Sequence, residues 1–170
     1  MPDGSFFDKA SIAVGASLLT WFLQQYRAVR AEDVSLVNEH IKDIEKFRDV
    51  PQDYWLSLPD DVQREKAAVA KVKAAHAATN LAYDQISKIC QGCSEEYRDL
   101  SVKLYMSATG GSFESGRVDI DAPRAIELYD RAAALIHLLR NVRRDLISLK
   151  RLLPRIVVSS CNFSKVRTSS

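Results

Sequence analysis

Two cysteines three apart, in Cys90-Gln91-Gly92-Cys93, carry the spacing in this chain best suited to chemistry. Such a pair serves as a redox dithiol or as half of a tetrahedral zinc site. The redox reading needs a strand that leads into a helix, and the surrounding pattern has none. The zinc reading needs two further ligands. There is no second CysxxCys, so Cys161 and one of three histidines would have to converge from elsewhere. Both cysteines also fall on an apolar heptad stripe, where a thiol behaves as a small hydrophobe. A packing role is favoured, and neither metal nor cofactor is expected.

His76 falls on the same stripe and is expected to be packed and hydrogen-bonded. His40 and His137 lie off the stripes with no matched partner. The residues three before the histidines are Val37, Lys73 and Ala134, which excludes the Glu-x-x-His pairs of di-iron bundles. The glycine-rich segment 109–116 lacks the preceding strand and the GlyLysSer/Thr ending of a phosphate loop. No paired acids, serine elbow or Cys–His arrangement is present, and an enzyme is not expected.

Charge is polarised along the chain. Residues 1–139 carry 16 basic and 21 acidic side chains, net −5, whereas residues 140–170 carry 8 and 1, net +7. Arg140, Arg143, Arg144, Lys150, Arg151 and Arg155 make the end of the last predicted helix basic. Part of this suits a helix C-terminus, where cations are favourable. The functional reading is contact with an anionic surface, lipid headgroups first. Nucleic acid is unfavoured, because few aromatics accompany the cations for base stacking.

The elements that would position these groups are all helical. Val34, Val37, Ile41 and Ile44 step by three and four, and no breaker precedes Pro51. This predicts one helix from about residue 8 to about residue 48, then a connector over 51–59 with buried Tyr54 and Trp55. Asp60 and Asp61 suit the start of a second helix. Its stripe runs Val69, Val72, His76, Thr79, Tyr83, Ile86, Cys90, Cys93, Tyr97, Leu100, Leu104 without a fault. Gly92 sits within it and costs about 1 kcal/mol relative to alanine, too little to force a break alone. A whole helix and a helix broken at Gly92 both remain open. A loop is expected over 108–120. Asp121 then caps a last helix with an apolar stripe of Leu128, Ala132, Leu135, Leu139, Val142, Leu146, Leu149 and Leu153, which Pro154 ends.

The stretch Ala10–Tyr26 decides the class of function. It holds 17 uncharged residues between Lys9 and Arg27, roughly 25 Å of helix against roughly 30 Å of bilayer hydrocarbon. Ser11, Ser17, Thr20, Gln24 and Gln25 dilute it. From Ala10 to Leu23 the small polar residues are expected to scatter around the helix and leave no wet face. Phe6 and Phe7 precede the stretch, while Trp21, Phe22 and Tyr26 close it, as in an interfacial belt. Ser11 with Gly15 and Ala13 with Ser17 give the four-residue small spacing of close helix pairs. A membrane span is favoured over a buried core helix. A signal peptide fits poorly, because the leading residues are not basic. Arg27 and Arg30 outnumber Lys9, which places the body in the cytoplasm.

The expectation is an all-α chain: a transmembrane anchor over 1–26, an antiparallel bundle with coiled-coil-like packing over 27–158 and a disordered tail over 159–170. Its function is read as a non-enzymatic, single-pass membrane module that binds or senses a protein partner the sequence does not identify, and self-association is compatible with it. The alternative is a soluble bundle that binds protein or nucleic acid. With an anchor in place, a break near Gly92 is expected, since an unbroken second helix would overshoot the membrane surface.

Overall fold

The computed structural model of the chain describes residues 4–57, 61–115 and 119–148, with side chains from residue 12 onward. Every regular element among them is a helix: α1 (Gly4–Leu56), α2 (Val62–Leu81), α3 (Tyr83–Ile89), α4 (Ser94–Thr109) and α5 (Ala122–Ile147). The second half of α1 packs against α2 and α5, and α5 also covers α4. Tyr97, early in α4, meets His40, while Ala108, late in α4, meets Trp55. α4 therefore runs parallel to α1. Arg124 at the start of α5 lies over Trp55, and Arg143 near its end reaches Asn38, so α5 is antiparallel to α1. The result is an up-down-up-down bundle of four legs, with α2 and α3 sharing one leg.

α1 does not stop at Pro51. It runs on to Leu56, so the connector expected from residue 51 begins six residues later. A proline in a helix interior costs about 3 kcal/mol and leaves the carbonyl four residues back without its donor. Tertiary packing offsets that cost. Pro51 is itself buried, and the turn it begins seats Tyr54 and Trp55 in the core. The Trp55 indole donates to the Ala108 carbonyl at 3.0 Å. Its ring meets Tyr54 edge-on at 5.0 Å between centroids and lies tilted against Phe113 at 6.4 Å. The Arg124 guanidinium sits 4.8 Å above it. Gly111, at φ 65°, leaves that guanidinium room, because a Cβ there would lie 2.6 Å from its Nη2.

The eleven-position stripe belongs to two opposed legs. α2 ends at Leu81, Ala82 interrupts the helix, α3 follows, and the chain turns back over Cys90–Cys93, where the Cys93 amide donates to the Cys90 carbonyl at 2.7 Å. Val72, Ile86, Cys90, Tyr97 and Leu104 are all buried, so both legs face the same core. Cys93, not Ser94, holds the cap position of α4, and Glu95 and Glu96 complement the helix dipole in its first turn.

Two caps lie where the sequence places them. Asp61 accepts from the Arg64 amide at 2.8 Å, and Asp121 from the Arg124 amide at 3.0 Å. Leu128, Ala132, Leu135, Leu139, Val142 and Leu146 of α5 are buried as a continuous stripe. Leu149, Leu153 and the tail from Ser159 lie outside the described residues. α5 itself ends at Ile147, short of Pro154, because Ser148 has extended backbone.

The transmembrane span is not supported. Among the described residues, no helix is long and apolar enough to cross a membrane. The physical reason is dilution: Ser17, Thr20, Gln24 and Gln25 interrupt a run already shorter than the roughly 20 residues a span needs. The buried-core alternative also fails within this chain, because every residue from Ile12 to Gln25 is exposed.

Candidate functional site

Since the three legs that pack on α1 cover only its second half, its first part projects from the bundle. Ile12, Val14, Leu18, Leu19, Trp21 and Phe22 are each between 59 % and 71 % exposed. At about 100° per residue they fall within roughly half of the circumference, and Ala13, Ala16, Ser17, Thr20 and Gln24 make up the other half. The exposed apolar surface is therefore a broad face, and the scatter expected of the small polar residues does not hold. The hydroxyl groups of the other half are turned inward to the backbone. Ser17 Oγ donates to the Ala13 carbonyl at 2.9 Å, and Thr20 Oγ1 to the Ala16 carbonyl at 2.8 Å. Back-bonding of this kind removes the hydroxyl donors that an apolar medium would penalise. The hydroxyls of Ser17 and Thr20 are thereby satisfied without water.

Arg27 and Arg30 follow directly. Arg30 lies 5.1 Å above the Tyr26 ring and pairs with Asp33 at 3.3 Å. The Arg27 guanidinium has no partner among the described residues. The antiparallel course of α5 brings its C-terminal end to this same place, with Leu146, Ile147 and Ser148 facing Leu23 to Val34 across a groove.

Of the six cations proposed for an anionic surface, three are described, and they are not equivalent. Arg140 reaches Glu45 at 3.9 Å across exposed surface, a weak pair. Arg143 donates to the Asn38 side-chain oxygen at 2.8 Å and is half-buried against α1. Arg144 alone is exposed with its guanidinium unpartnered among the described residues. Lys150, Arg151 and Arg155 lie outside them. Sequence reasoning missed Arg27 and Arg30 as part of this basic set, although their place just after the apolar run was visible.

Cys90 is buried and Cys93 half-buried, and both are thiols in the turn that joins α3 to α4. Among the described residues, no group of three His, Cys, Asp or Glu side chains is placed to hold a metal ion. Cys161 lies outside them.

The histidines are placed differently from expectation in one case. His76 is half-buried as expected, 4.1 Å from the Tyr105 ring and within 3.3 Å of the Asn80 amide. His137 is exposed on α5. His40, expected off the stripe and unmatched, is in the core: Nε2 lies 2.8 Å from the Tyr97 hydroxyl. Its position three after Val37 and four before Ile44 carries this signal, since that spacing stays on the buried face. Its Nδ1 is buried with no hydrogen-bond partner among the described residues. Burial pushes the His40 pKa down to about 4, against a smaller upward pull from Asp43. Burial, with Cys90 adding, raises that of the Tyr97 phenol. The cavity beside them, lined by His40, His76, Tyr83 and Tyr97 among others, is about 30 Å³. That is room for one or two waters and no substrate.

A neutral buried histidine makes the bundle acid-sensitive. Because the folded pKa is lowered, the contribution is fully present above pH 6.5 and is lost as pH falls from 6.5 towards 4. Two and a half pH units correspond to roughly 3 kcal/mol at the acid limit. Urea unfolding at pH 7.5 and at pH 4.5 should show wild type losing most of this relative to His40→Gln. Equal losses in the two proteins would mean that His40 is not buried neutral.

No known protein family, curated protein or solved structure matches this chain.

Proposed function

We propose that this protein is a non-enzymatic helical module held at a membrane by the projecting part of α1, with its bundle on the cytoplasmic side, where it binds or senses a protein partner. The observation that carries this reading is the broad apolar face from Ile12 to Leu23, which the bundle leaves exposed. Lipid covers an apolar face of this width and length. The internal bonds of Ser17 and Thr20 suit the same medium. Trp21 and Tyr26 followed by Arg27 and Arg30 give the order expected across a membrane interface, aromatic then basic. Among the described residues, the cavity inside the bundle is water-sized and no catalytic groups converge on it, which supports a binding role over an enzymatic one.

A second reading rests on the finding that no described helix is long and apolar enough for a span. In it, projecting segments from several copies bury one another and the protein is a soluble oligomer. Flotation followed by an alkaline carbonate wash separates the two. Retention on membranes after carbonate, with release by detergent, is the expected result. Recovery in the carbonate supernatant as an oligomer would replace the first reading with the second.

A further inference from the structure

At the point where α1 leaves the bundle, the end of α5 stands off from it and leaves a groove of about 450 Å³. This lies within the roughly 300–1,000 Å³ of small-molecule sites. Its walls are Leu23, Tyr26, Ala31 and Val34 on one side and Leu146 and Ile147 on the other. The charged side chains that line it among the described residues are Arg27 and Arg30, with no acid. Asp33 partly neutralises Arg30 from outside the groove. Arg27 has no carboxylate partner among the described residues. Apolar walls with a cationic rim fit one kind of molecule: an apolar chain that ends in an anion.

We infer that this groove binds a single anionic phospholipid, its acyl chain against Leu23, Leu146 and Ile147 and its phosphate on Arg27 and Arg30. The inference rests on the membrane-held reading, and two features of the groove agree with that reading. It is continuous with the exposed apolar face through Leu23. It is also lined by Tyr26, an aromatic ring of the interface. A phospholipid therefore reaches it from the bilayer without crossing water. Desolvation of the phosphate is offset by charge-assisted hydrogen bonds from the guanidinium groups. A phosphatidylcholine headgroup would bring its own cation against Arg27, and so the site selects net negative charge.

The test uses the full chain with benzoylphenylalanine at Ile147, or at Ile126 near the far end of α5 as control. The vesicles hold equal amounts of phosphatidylglycerol and phosphatidylcholine. Irradiation of floated protein should crosslink the Ile147 position to phosphatidylglycerol about fivefold more than to phosphatidylcholine, the preference that one basic side chain confers at an anionic surface. Arg27→Gln should bring that ratio close to one. Ala31→Phe, which fills the groove without touching the projecting apolar face, should abolish the lipid adduct while flotation persists. Adducts equal for the two lipids, unaffected by Ala31→Phe or no greater than at the control position would overturn the groove and leave membrane attachment standing. Crosslinks to the chain's own residues or to a second copy would overturn it in favour of those occupants. Failure to float would remove the attachment and the groove together.

Discussion

Replacing Leu18 and Leu19 together by arginine should move the protein from the membrane fraction to the soluble fraction while leaving the melting of the bundle unchanged. Both leucines are about 60 % exposed and touch no part of the core, so the substitution removes no packing that holds the fold. Each arginine near the middle of an inserted helix costs about 2.5–3.5 kcal/mol on insertion scales. The pair therefore opposes attachment by roughly twice that. Fractionation and a circular dichroism melt, run on the same preparation, read the two effects separately. A variant that stays on membranes would place the attachment elsewhere. A wild type that is already soluble and oligomeric, and a variant that is monomeric, would establish the self-association reading instead.

Leu139→Asp should unfold the bundle. Leu139 is fully buried in the α5 stripe, between Leu135 and Val142, on the helix that both α1 and α4 pack against. Truncating a buried leucine alone costs about 2–5 kcal/mol. A carboxylate without a partner adds several kcal/mol more, or forces its own protonation. Against a domain stability of about 5–15 kcal/mol, that removes most or all of the margin. Ile126→Asp on the same helix is the control. Ile126 is 64 % exposed, and its replacement should stay within about 0.5 kcal/mol. Equal melting curves for the two variants would show that the stripe faces water.

The α5 stripe was fully legible over the described residues, because leucines at steps of three and four meet no competing breaker between Pro123 and Ser148. Asp61 and Asp121 were legible for a similar reason: each is a short acceptor placed just before a periodic run. Pro51 misled because the local rule was right about cost and silent about compensation from Tyr54 and Trp55. The reversal at Gly92 was only half legible. Cys90 and Tyr97 are seven residues apart, so the turn conserves the heptad phase and periodicity cannot report that the chain has changed direction. His40 escaped because a stripe drawn through valine and isoleucine does not count an imidazole, although burial can hold it neutral. The groove was illegible in principle. Its two walls come from opposite ends of the chain, and only the antiparallel course of α5 brings them together. The projecting apolar face was the opposite case: its residue types were plain, but whether the bundle would cover it depended on where the other helices end.

The unbroken course of α1 gears the two parts of the protein to each other. With about 3.6 residues per turn, each residue added between Gln25 and Val34 would rotate the bundle by about 100° around the axis of the projecting segment and shift it by about 1.5 Å. The compass bearing of α4 and of the outer face of α5 relative to that segment is therefore set by residue count, as tooth number sets the phase of a gear train. Copies held in one plane would all present the same bearing. A flexible linker would tolerate insertions freely. This rod should tolerate them only in steps close to a full turn, and a neighbour that reads the bundle's outer face would sense every fraction between.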